Sequence, residues 1–352
     1  MKSPAKKKLL LVGTGVVHTF KYLELIASFF DEILLVTDQV REGLEQKQLR
    51  FDFSLRSAHT IPSRIKTLRK IIDDFNPDIV HIHQAGSGAW FTLQACRKQY
   101  PTVVTAWGSD ILHTPSKGFL YRRMIKYILR NADCFTSDAI FMANEMRRMA
   151  GSRPLDILIA NFGIDILPQS HEKENLVYSN RQLTPLYRID KVIELFCAFV
   201  QSSPEYSTWK LAIAATGSEE SRLKQLAEDS GIDEQIRFYG WVDKALNSEL
   251  YGRAKVYISI PESDATSISL LEAMASACVP VVSDLPANRE WIRDGVNGIL
   301  YRPGDDDCIR KAVQLNGEAL REMNREIIER EGTKSANRQK FIGLYERILH
   351  GD

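Results

Sequence analysis

The sequence predicts an α/β protein of two domains, each built on a parallel sheet. Three observations lead there. The chain has 352 residues, more than a single hydrophobic core usually organises. It begins with an apolar run, Lys8–Val12, broken by Gly13-Thr14-Gly15, then a helix through Phe30, then a second apolar run, Ile33–Thr37. That order, strand, glycine turn, helix, strand, announces a parallel sheet. The stretch from Ile258 to Ser283, ISIPESDATSISLLEAMASACVPVVS, repeats it far along the chain as strand, loop, helix, strand.

Composition is that of a globular enzyme, with 44% hydrophobic and 26% charged residues. The net charge of +1 gives no global pull toward nucleic acid. Cys96, Cys134, Cys197, Cys278 and Cys308 are scattered without a CxxC pair, as core residues in a reducing compartment would be. No apolar run reaches the roughly 20 residues that span a bilayer. The basic start (Lys2, Lys6, Lys7, Lys8) leads directly into a strand and lacks a secretory apolar region and cleavage site. The chain therefore reads as cytoplasmic.

Taken in order, Ile61–Asn76 is an amphipathic helix and Pro77–His83 a strand whose alternate histidines, His81 and His83, point to one side. No third ligand accompanies them, so a buried, hydrogen-bonded pair is expected rather than a metal site. Thr102–Ala106 is a strand ended by Trp107-Gly108-Ser109-Asp110. Trp107 reads equally as a stacking platform for a sugar and as packing, and Asp110 is the better polar candidate. Ser116–Asn131 is a basic amphipathic helix: Phe119, Met124, Ile128 and Leu129 form one face, with Lys117, Arg122, Arg123, Lys126 and Arg130 elsewhere. Such a helix can lie on an anionic membrane or simply solvate its own face. Ala132–Ser137 and Ile157–Ala160 close the first set of strands. The polar stretch Pro168, Gln169, Ser170, His171, Glu172, Lys173, Glu174 is the best linker.

Leu176–Ser179 starts the second set. Arg181 and Arg188 stand between it and a helix over Lys191–Val200, where a permanent cation can neutralise a diphosphate. Lys210–Ala215 is a strand followed by Thr216-Gly217-Ser218-Glu219, and Ile236–Tyr239 another. Asp305-Asp306-Asp307 precedes a helix, Cys308–Leu315, and reads as acidic capping rather than a metal site. Ser335–Leu349 is one long final helix.

In the central stretch, Ile268, Leu271, Met274 and Ala275 recur at helical spacing from Ser267. A helix that starts just after a strand aims its free amides and its dipole at the strand's carboxyl end, a place that suits a phosphate. Asp264 and Glu272 frame the loop. Two readings of Glu272 stand: a pocket carboxylate, or the acid of a capping box Ser269-x-x-Glu272.

This stretch resembles the signature of the retaining glycosyltransferases of family 4, which have the GT-B fold. Their E-G-F-G-L-x-x-L-E-A-M-A-x-G-x-P-V-V corresponds here to D-A-T-S-I-S-L-L-E-A-M-A-S-A-C-V-P-V-V. The resemblance implies that Glu272 holds the donor ribose and that Asp264 contacts the donor sugar. It also implies that Thr266, Ser267 and Ile268 offer backbone to sugar and diphosphate. Arg181 matches the first of two family cations on the diphosphate. The second is replaced, with Leu186 and Tyr187 near its position and Arg188 as the substitute. Gly13 and Gly15 match the family's glycine loop facing the donor phosphates, Gly217 its G-x-G-P-E turn, and Tyr239 the strand end that meets the base. His83 lies in the family's P-D-I-x-H-x-H strand, and Trp107 takes the place of a family histidine near the sugar, with Asp110 beside it. Asn161-Phe162-Gly163-Ile164-Asp165 resembles N-G-V-D.

The resemblance implies two Rossmann-like domains facing across a cleft. Residues 1–167 form the acceptor side, the last helix, about 333–352, crosses back to it, and 168–332 bind the donor. The implied activity is metal-independent, cofactor-free transfer of a hexose-type sugar, with retention, from a nucleotide sugar, UDP by family frequency. The implied acceptor is a glycan or lipid-linked glycan of cell-surface polysaccharide or glycoconjugate synthesis. Peripheral contact with the inner face of the membrane through 116–131 goes with a lipid-linked acceptor. Two rivals share the features: a UDP-sugar 2-epimerase of the same fold, and a nucleotide-sugar-binding protein without catalysis, which the departures at Trp107, Asp264 and Tyr187 would suit.

Overall fold

The computed structural model describes residues 6–166, 171–315 and 317–351. The chain divides into two units, Met1–Phe162 with Lys334–Asp352, and Gly163–Thr333. The boundary expected at 167/168, with Pro168, Gln169 and Ser170 of the expected linker, lies outside the described residues.

The first unit carries β1 (Lys8–Gly13), β2 (Glu32–Thr37), β3 (Lys47–Arg50), β4 (Ile79–His83), β5 (Thr102–Thr105), β6 (Cys134–Ser137) and β7 (Asp156–Ile159). They form a parallel sheet in the order β3-β2-β1-β4-β5-β6-β7. The second carries β8 (Glu174–Ser179), β9 (Lys210–Ile213), β10 (Ile236–Phe238), β11 (Ala254–Ser259), β12 (Val279–Ser283) and β13 (Ile299–Tyr301). Their order is β10-β9-β8-β11-β12-β13, again parallel throughout. Both are Rossmann-like α/β units. Helices cover both faces of such a sheet, so its central strands read as unbroken apolar runs. Leu9–Val12 and Val279–Val282 are accordingly buried along their whole length.

The strand orders locate the functional ends. In the first sheet the chain reverses direction of winding between β1 and β4, and in the second between β8 and β11. Connections leave those neighbouring strands toward opposite faces, opening a crevice at their carboxyl ends where α/β proteins take ligands. Gly13–Gly15 and His83 flank the first switch point. Arg181 and the loop Pro261–Ser267 flank the second.

Three differences from the sequence reading have physical reasons. Strand β3 is KQLR at the sheet edge, exposed or half-exposed throughout, so it carries no apolar alternation to detect. The basic helix runs Phe119–Asn131 after a short 3-10 turn, and its buried face is Ile125, Ile128 and Leu129. Phe119, expected on that face, is instead 74% exposed. Lys173, expected in a linker, is part-buried, and its ammonium donates to the carbonyls of Tyr251, Ala254 and Ser276 at 3.0, 2.7 and 2.6 Å. These carbonyls close the helices Lys244–Arg253 and Ile268–Ala275, ends at which a cation is favoured.

The last helix, Lys334–His350, belongs to the first unit. Tyr345 brings its hydroxyl to His81 Nδ1 at 2.8 Å and to the Tyr22 hydroxyl. Phe341 meets the Tyr22 ring edge-on at 4.8 Å, and Asn337 Oδ1 accepts the Asn161 amide at 2.9 Å. His81 Nε2 is 2.6 Å from the Thr105 hydroxyl. The fully buried His81 ring is neutral in this setting, because burial lowers its pKa to about 3.

The sign of the linkage follows. The unfolded chain protonates His81 near pH 6.5 while the folded chain does not, so stability falls as pH drops below 6.5 and continues to fall toward 3. Between pH 6.5 and 5 this one histidine should cost roughly 2 kcal/mol. Urea unfolding of the wild type and His81→Gln across that range checks it: the wild type should show the steeper slope, and parallel curves would contradict the assignment.

Candidate active site

The second switch point is organised by Arg181, which follows β8 and is largely buried. Its Nη2 donates to Asp264 Oδ2 at 2.8 Å. Its Nη1 donates to the Ser269 hydroxyl at 2.9 Å and to the Ser267 hydroxyl. Its guanidinium plane lies over the Tyr187 ring at 4.4 Å. Burial works against the charge, yet Asp264, with the hydroxyls of Tyr257 and Tyr187, holds the Arg181 pKa above its ordinary value. Burial pushes the Asp264 carboxyl up against the pull of Arg181 and of the Ala265 amide, which Oδ1 accepts at 3.0 Å. The two residues expected to act on sugar and diphosphate are thus joined to each other.

The helix Ile268–Ala275 starts beside this pair, with Ser267 as its N-cap residue. The Ser267 side chain makes no cap bond, since its hydroxyl is engaged by Arg181 and, at 2.9 Å, by Ser269. This settles the capping box. The box requires Ser at the N-cap and an acid at the third helical position. Ser269 is instead the second residue of the helix and Glu272 the fifth. Glu272 is half-buried on the helix; burial first, and its nearby charge as a lesser cause, raise the pKa of Tyr178, Tyr251 and Tyr257. Thr266 and Ser267 are buried, and Thr266 Oγ1 accepts the Trp291 indole N–H at 3.3 Å. Ile268 packs half-buried against the core of that helix. The first amides of the helix, those of Ile268 and Ser269, have no carbonyl four residues back inside it. A buried cation, two serine hydroxyls and a helix start therefore converge, which is the equipment for holding an oxyanion.

Beneath this cluster lies a polar network that the sequence reading missed. Tyr251 donates to the Ser269 carbonyl at 3.0 Å and receives Asn180 Nδ2 at 2.9 Å. Asn180 Oδ1 accepts from Tyr257 at 3.2 Å, and Asn247 Oδ1 accepts from Tyr178 at 2.7 Å and Asn180 at 3.1 Å. Tyrosines of three different elements read as core in sequence. Only their convergence on Asn180, next to Arg181, and on its partner Asn247 marks them as support for the helix start.

Gly217 shapes the same loop. A Cβ there would sit 2.2 Å from the Leu183 carbonyl oxygen. The two loops are laced together, Leu183 N donating to Thr216 O at 3.1 Å and Glu219 N to Leu183 O at 2.9 Å. Arg188 is the N-cap residue of the helix Ile189–Gln201, in the left-handed region at φ 49°. It pairs with Asp190 at 3.2 Å and Glu262 at 3.5 Å and is 40% exposed, apart from the Arg181 cluster in its contacts. Tyr239 continues β10 with its amide on Ile213 O at 2.8 Å, and its ring lies under Arg237 at 4.6 Å. Asp305, Asp306 and Asp307 are paired with Lys311, Lys191 and Arg310.

At the first switch point the glycine turn is tight. A Cβ on Gly13 would meet the Thr19 side chain at 2.7 Å, and one on Gly15 would meet Gln39 at 2.7 Å. The Gly15 amide donates to Asp38 Oδ1 at 2.8 Å, so it is already engaged. His83 ends β4 buried, with Trp107 at 5.3 Å, Tyr22 at 4.2 Å and His81 at 5.0 Å between ring centres. Here the expected hydrogen-bonded pair is corrected: His81 is bonded, but among the described residues neither ring nitrogen of His83 has a hydrogen-bond partner. Burial, then the neighbouring His81 and His18, lower the His83 pKa, so it is neutral. Trp107 stacks on His18 at 5.2 Å, and its indole N–H also has no hydrogen-bond partner among the described residues. Asp110 is buried and spent on backbone, accepting Ala85 N at 2.8 Å and Trp107 N at 3.0 Å. It ties the loops after β4 and β5 together.

Two Rossmann-like units of this kind make up the GT-B fold. The family model of the glycosyl transferases group 1 matches residues 166–330, and that of the 4-like glycosyl transferases matches 7–139. The chain belongs to the group 1, family-4-like glycosyltransferases and is an enzyme of glycoconjugate or polysaccharide synthesis. The N-acetyl-alpha-D-glucosaminyl L-malate synthase of Bacillus anthracis is 23% identical over 78% of this chain and 75% of its own length. The alpha-monoglucosyldiacylglycerol synthase of Streptococcus pneumoniae is 25% identical over 66% of this chain and 57% of its own. Among solved structures, HepE of Anabaena in complex with UDP superposes with a TM-score of 0.78 at 15% identity, covering 97% of this chain and 99% of HepE.

Because no side-chain motion relieves a clash between two backbones, Gly217→Ala should force the Arg181 loop away from the loop Thr216–Glu219. Overpacking of that kind costs about 1–3 kcal/mol. Thermal unfolding should show a lowered Tm, and an unchanged Tm would mean the close approach is dispensable.

Proposed function

We propose that this enzyme transfers a hexose-type sugar, with retention and without a metal, from a UDP-sugar to a glycan or lipid-linked acceptor. The observation that carries the reading is the convergence of Arg181, Ser267, Ser269 and a helix start at the carboxyl end of β8 and β11. Breaking the bond between sugar and diphosphate leaves negative charge on the leaving group. A fixed, buried cation meets that charge without reorganising. HepE, bound to UDP in its crystal, supports UDP as the nucleotide. In this reading Arg181 and the amides near Ser267 and Ile268 hold the diphosphate, and Glu272 takes the ribose. Asp264 fixes Arg181 with one oxygen and orients the donor sugar. Thr266 backbone, Gly217, Tyr239, Gly13 and Gly15 shape the donor pocket, with Arg188 an outer cation. Trp107 and His83 offer unpartnered N–H and ring nitrogen to the acceptor side, and Asp110 holds their loops. Incubation with single donors tests the reading: slow release of nucleotide and free sugar supports a transferase, an epimerised donor contradicts it, and binding without any turnover contradicts it as well.

A peripheral position at a membrane belongs to the same proposal and rests on the helix Phe119–Asn131. Phe119 and Leu120 are 74% and 77% exposed beside the exposed cations Lys117, Arg122, Arg123, Lys126 and Arg130. An apolar tip on a cationic helix suits peripheral contact with an anionic membrane. Among the described residues no helix is long and apolar enough to cross one.

Arg181→Ala should lower turnover by about 10²–10³-fold, the worth of one preorganised group on developing charge. Asp264→Asn keeps the shape but replaces an acceptor oxygen with a donor, so most of the transferase rate should vanish while UDP affinity changes little. Full activity in either variant would remove that residue from the site. Glu272→Ala should weaken binding of free UDP by about 1–3 kcal/mol in titration calorimetry, and unchanged affinity would remove it from the ribose. Sedimentation with anionic vesicles should fall as salt rises, each cation contributing about 1 kcal/mol. Equal binding to neutral vesicles would refute the membrane contact.

A further inference from the structure

At the amino ends of the first sheet's strands, where β5 begins, a cavity of about 240 Å³ opens between the carboxyl ends of two helices. Gln94, Arg97 and Lys98 line it from the end of the helix Ser87–Cys96, Tyr127 and Asn131 from the helix Phe119–Asn131, and Thr102 from β5. It belongs to neither switch point and has no part in the donor reading.

Two of its lining side chains are cations. Arg97 and Lys98 are exposed, and among the described residues neither has an acidic or hydrogen-bonding partner. The nearby carboxylates are committed. Asp133 Oδ2 accepts the Thr102 amide at 2.9 Å and hydroxyl at 2.7 Å, and Asp73 accepts the Tyr100 hydroxyl at 3.0 Å. The Cys96 thiol on the wall stays protonated, since burial, then Asp133 and Asp73, push it up to about 12. Arg97 and Lys98 both stand in the left-handed region, at φ 49° and 59°. Two consecutive side chains other than glycine rarely adopt it, and the turn sets both cations on one cavity.

Size and position narrow the ligand. At roughly 30 Å³ per water the cavity has room for about eight waters, more than a bare phosphate needs. Hydroxyl and amide groups of Tyr127, Gln94 and Asn131 offer hydrogen bonds to a polyol. Tyr127 and Asn131 lie one turn apart on their helix, and the exposed Leu120 lies two turns before Tyr127 on the same stripe. A group presented from a lipid surface would therefore reach the cavity along an apolar contact.

We propose that this cavity binds a phosphate ester carrying a small polyol or sugar, with Arg97 and Lys98 on the phosphate. A phospholipid headgroup and a free polyol phosphate share that chemistry. Titration calorimetry of the full chain with glycerol 3-phosphate, and sedimentation with phosphatidylglycerol vesicles, separate them. Arg97→Asn/Lys98→Asn is the test variant, because Asn tolerates the left-handed backbone. Lys66→Asn/Lys70→Asn removes the same charge from an exposed helix of the same unit. The test variant should keep its Tm and bind glycerol 3-phosphate at least tenfold more weakly, while the control binds as the wild type does. Vesicle binding that falls in the test variant alone, and that glycerol 3-phosphate competes away, assigns the headgroup. Vesicle binding equal in all three proteins, with glycerol 3-phosphate affinity lost only in the test variant, assigns the free ester. No binding of glycerol 3-phosphate by the wild type, equal binding by the test variant, or equal loss in the control overturns the proposal. Loss of transferase activity bears on none of these readouts, so failure here is distinct from failure of the donor reading.

Discussion

The second unit depends on one buried ion pair. Arg181 follows β8, Asp264 follows β11, and these strands are neighbours in the sheet only because the chain has wound away from β8 on both sides. Removing either partner would leave a largely buried charge uncompensated, which is costlier than the pair itself is favourable. The hydroxyls of Ser267 and Ser269 take the two N–H groups of Nη1, and Tyr251 fixes the Ser269 backbone. The cation is thus held in one place before any ligand arrives. Preorganisation of this kind is what makes a charged group worth more to a transition state than to solvent.

The first unit solves a different problem at the equivalent position. Its switch point has a glycine turn already bonded to Asp38 and an aromatic group of His18, Trp107, His83 and Tyr22. Where the second unit concentrates charge, the first presents buried polar atoms without partners, on His83 and Trp107. Such atoms are costly to leave unmet.

Much of this was legible in the sequence. Continuous apolar runs fixed the central strands, and the Ser267 helix with its following strand was read within a residue or two. The capping alternative for Glu272 needed coordinates, because it turned on which serine begins the helix. The pairing of Arg181 with Asp264 was out of reach of spacing, since 83 residues separate them and sheet order alone brings them together. Lys173 was misjudged because a charged residue in sequence does not reveal that backbone carbonyls will surround it, and the amides gathered by Asp110 were hidden in the same way. Strand β3 was invisible because an exposed edge has no apolar period. The cavity beside Arg97 and Lys98 was hidden likewise, as its walls come from two helices and a strand.

The central claim is that Arg181 is where the donor diphosphate is held. Its most direct test is a cycle of affinities, UDP against uridine, in the wild type and in Arg181→Gln, measured by titration calorimetry. The two ligands differ only by the diphosphate, so the gap between them isolates its contacts. The wild type should bind UDP far more tightly than uridine, and Arg181→Gln should close that gap by at least tenfold, about 1.4 kcal/mol, while uridine affinity stays the same. A gap of the same size in both proteins would contradict the account.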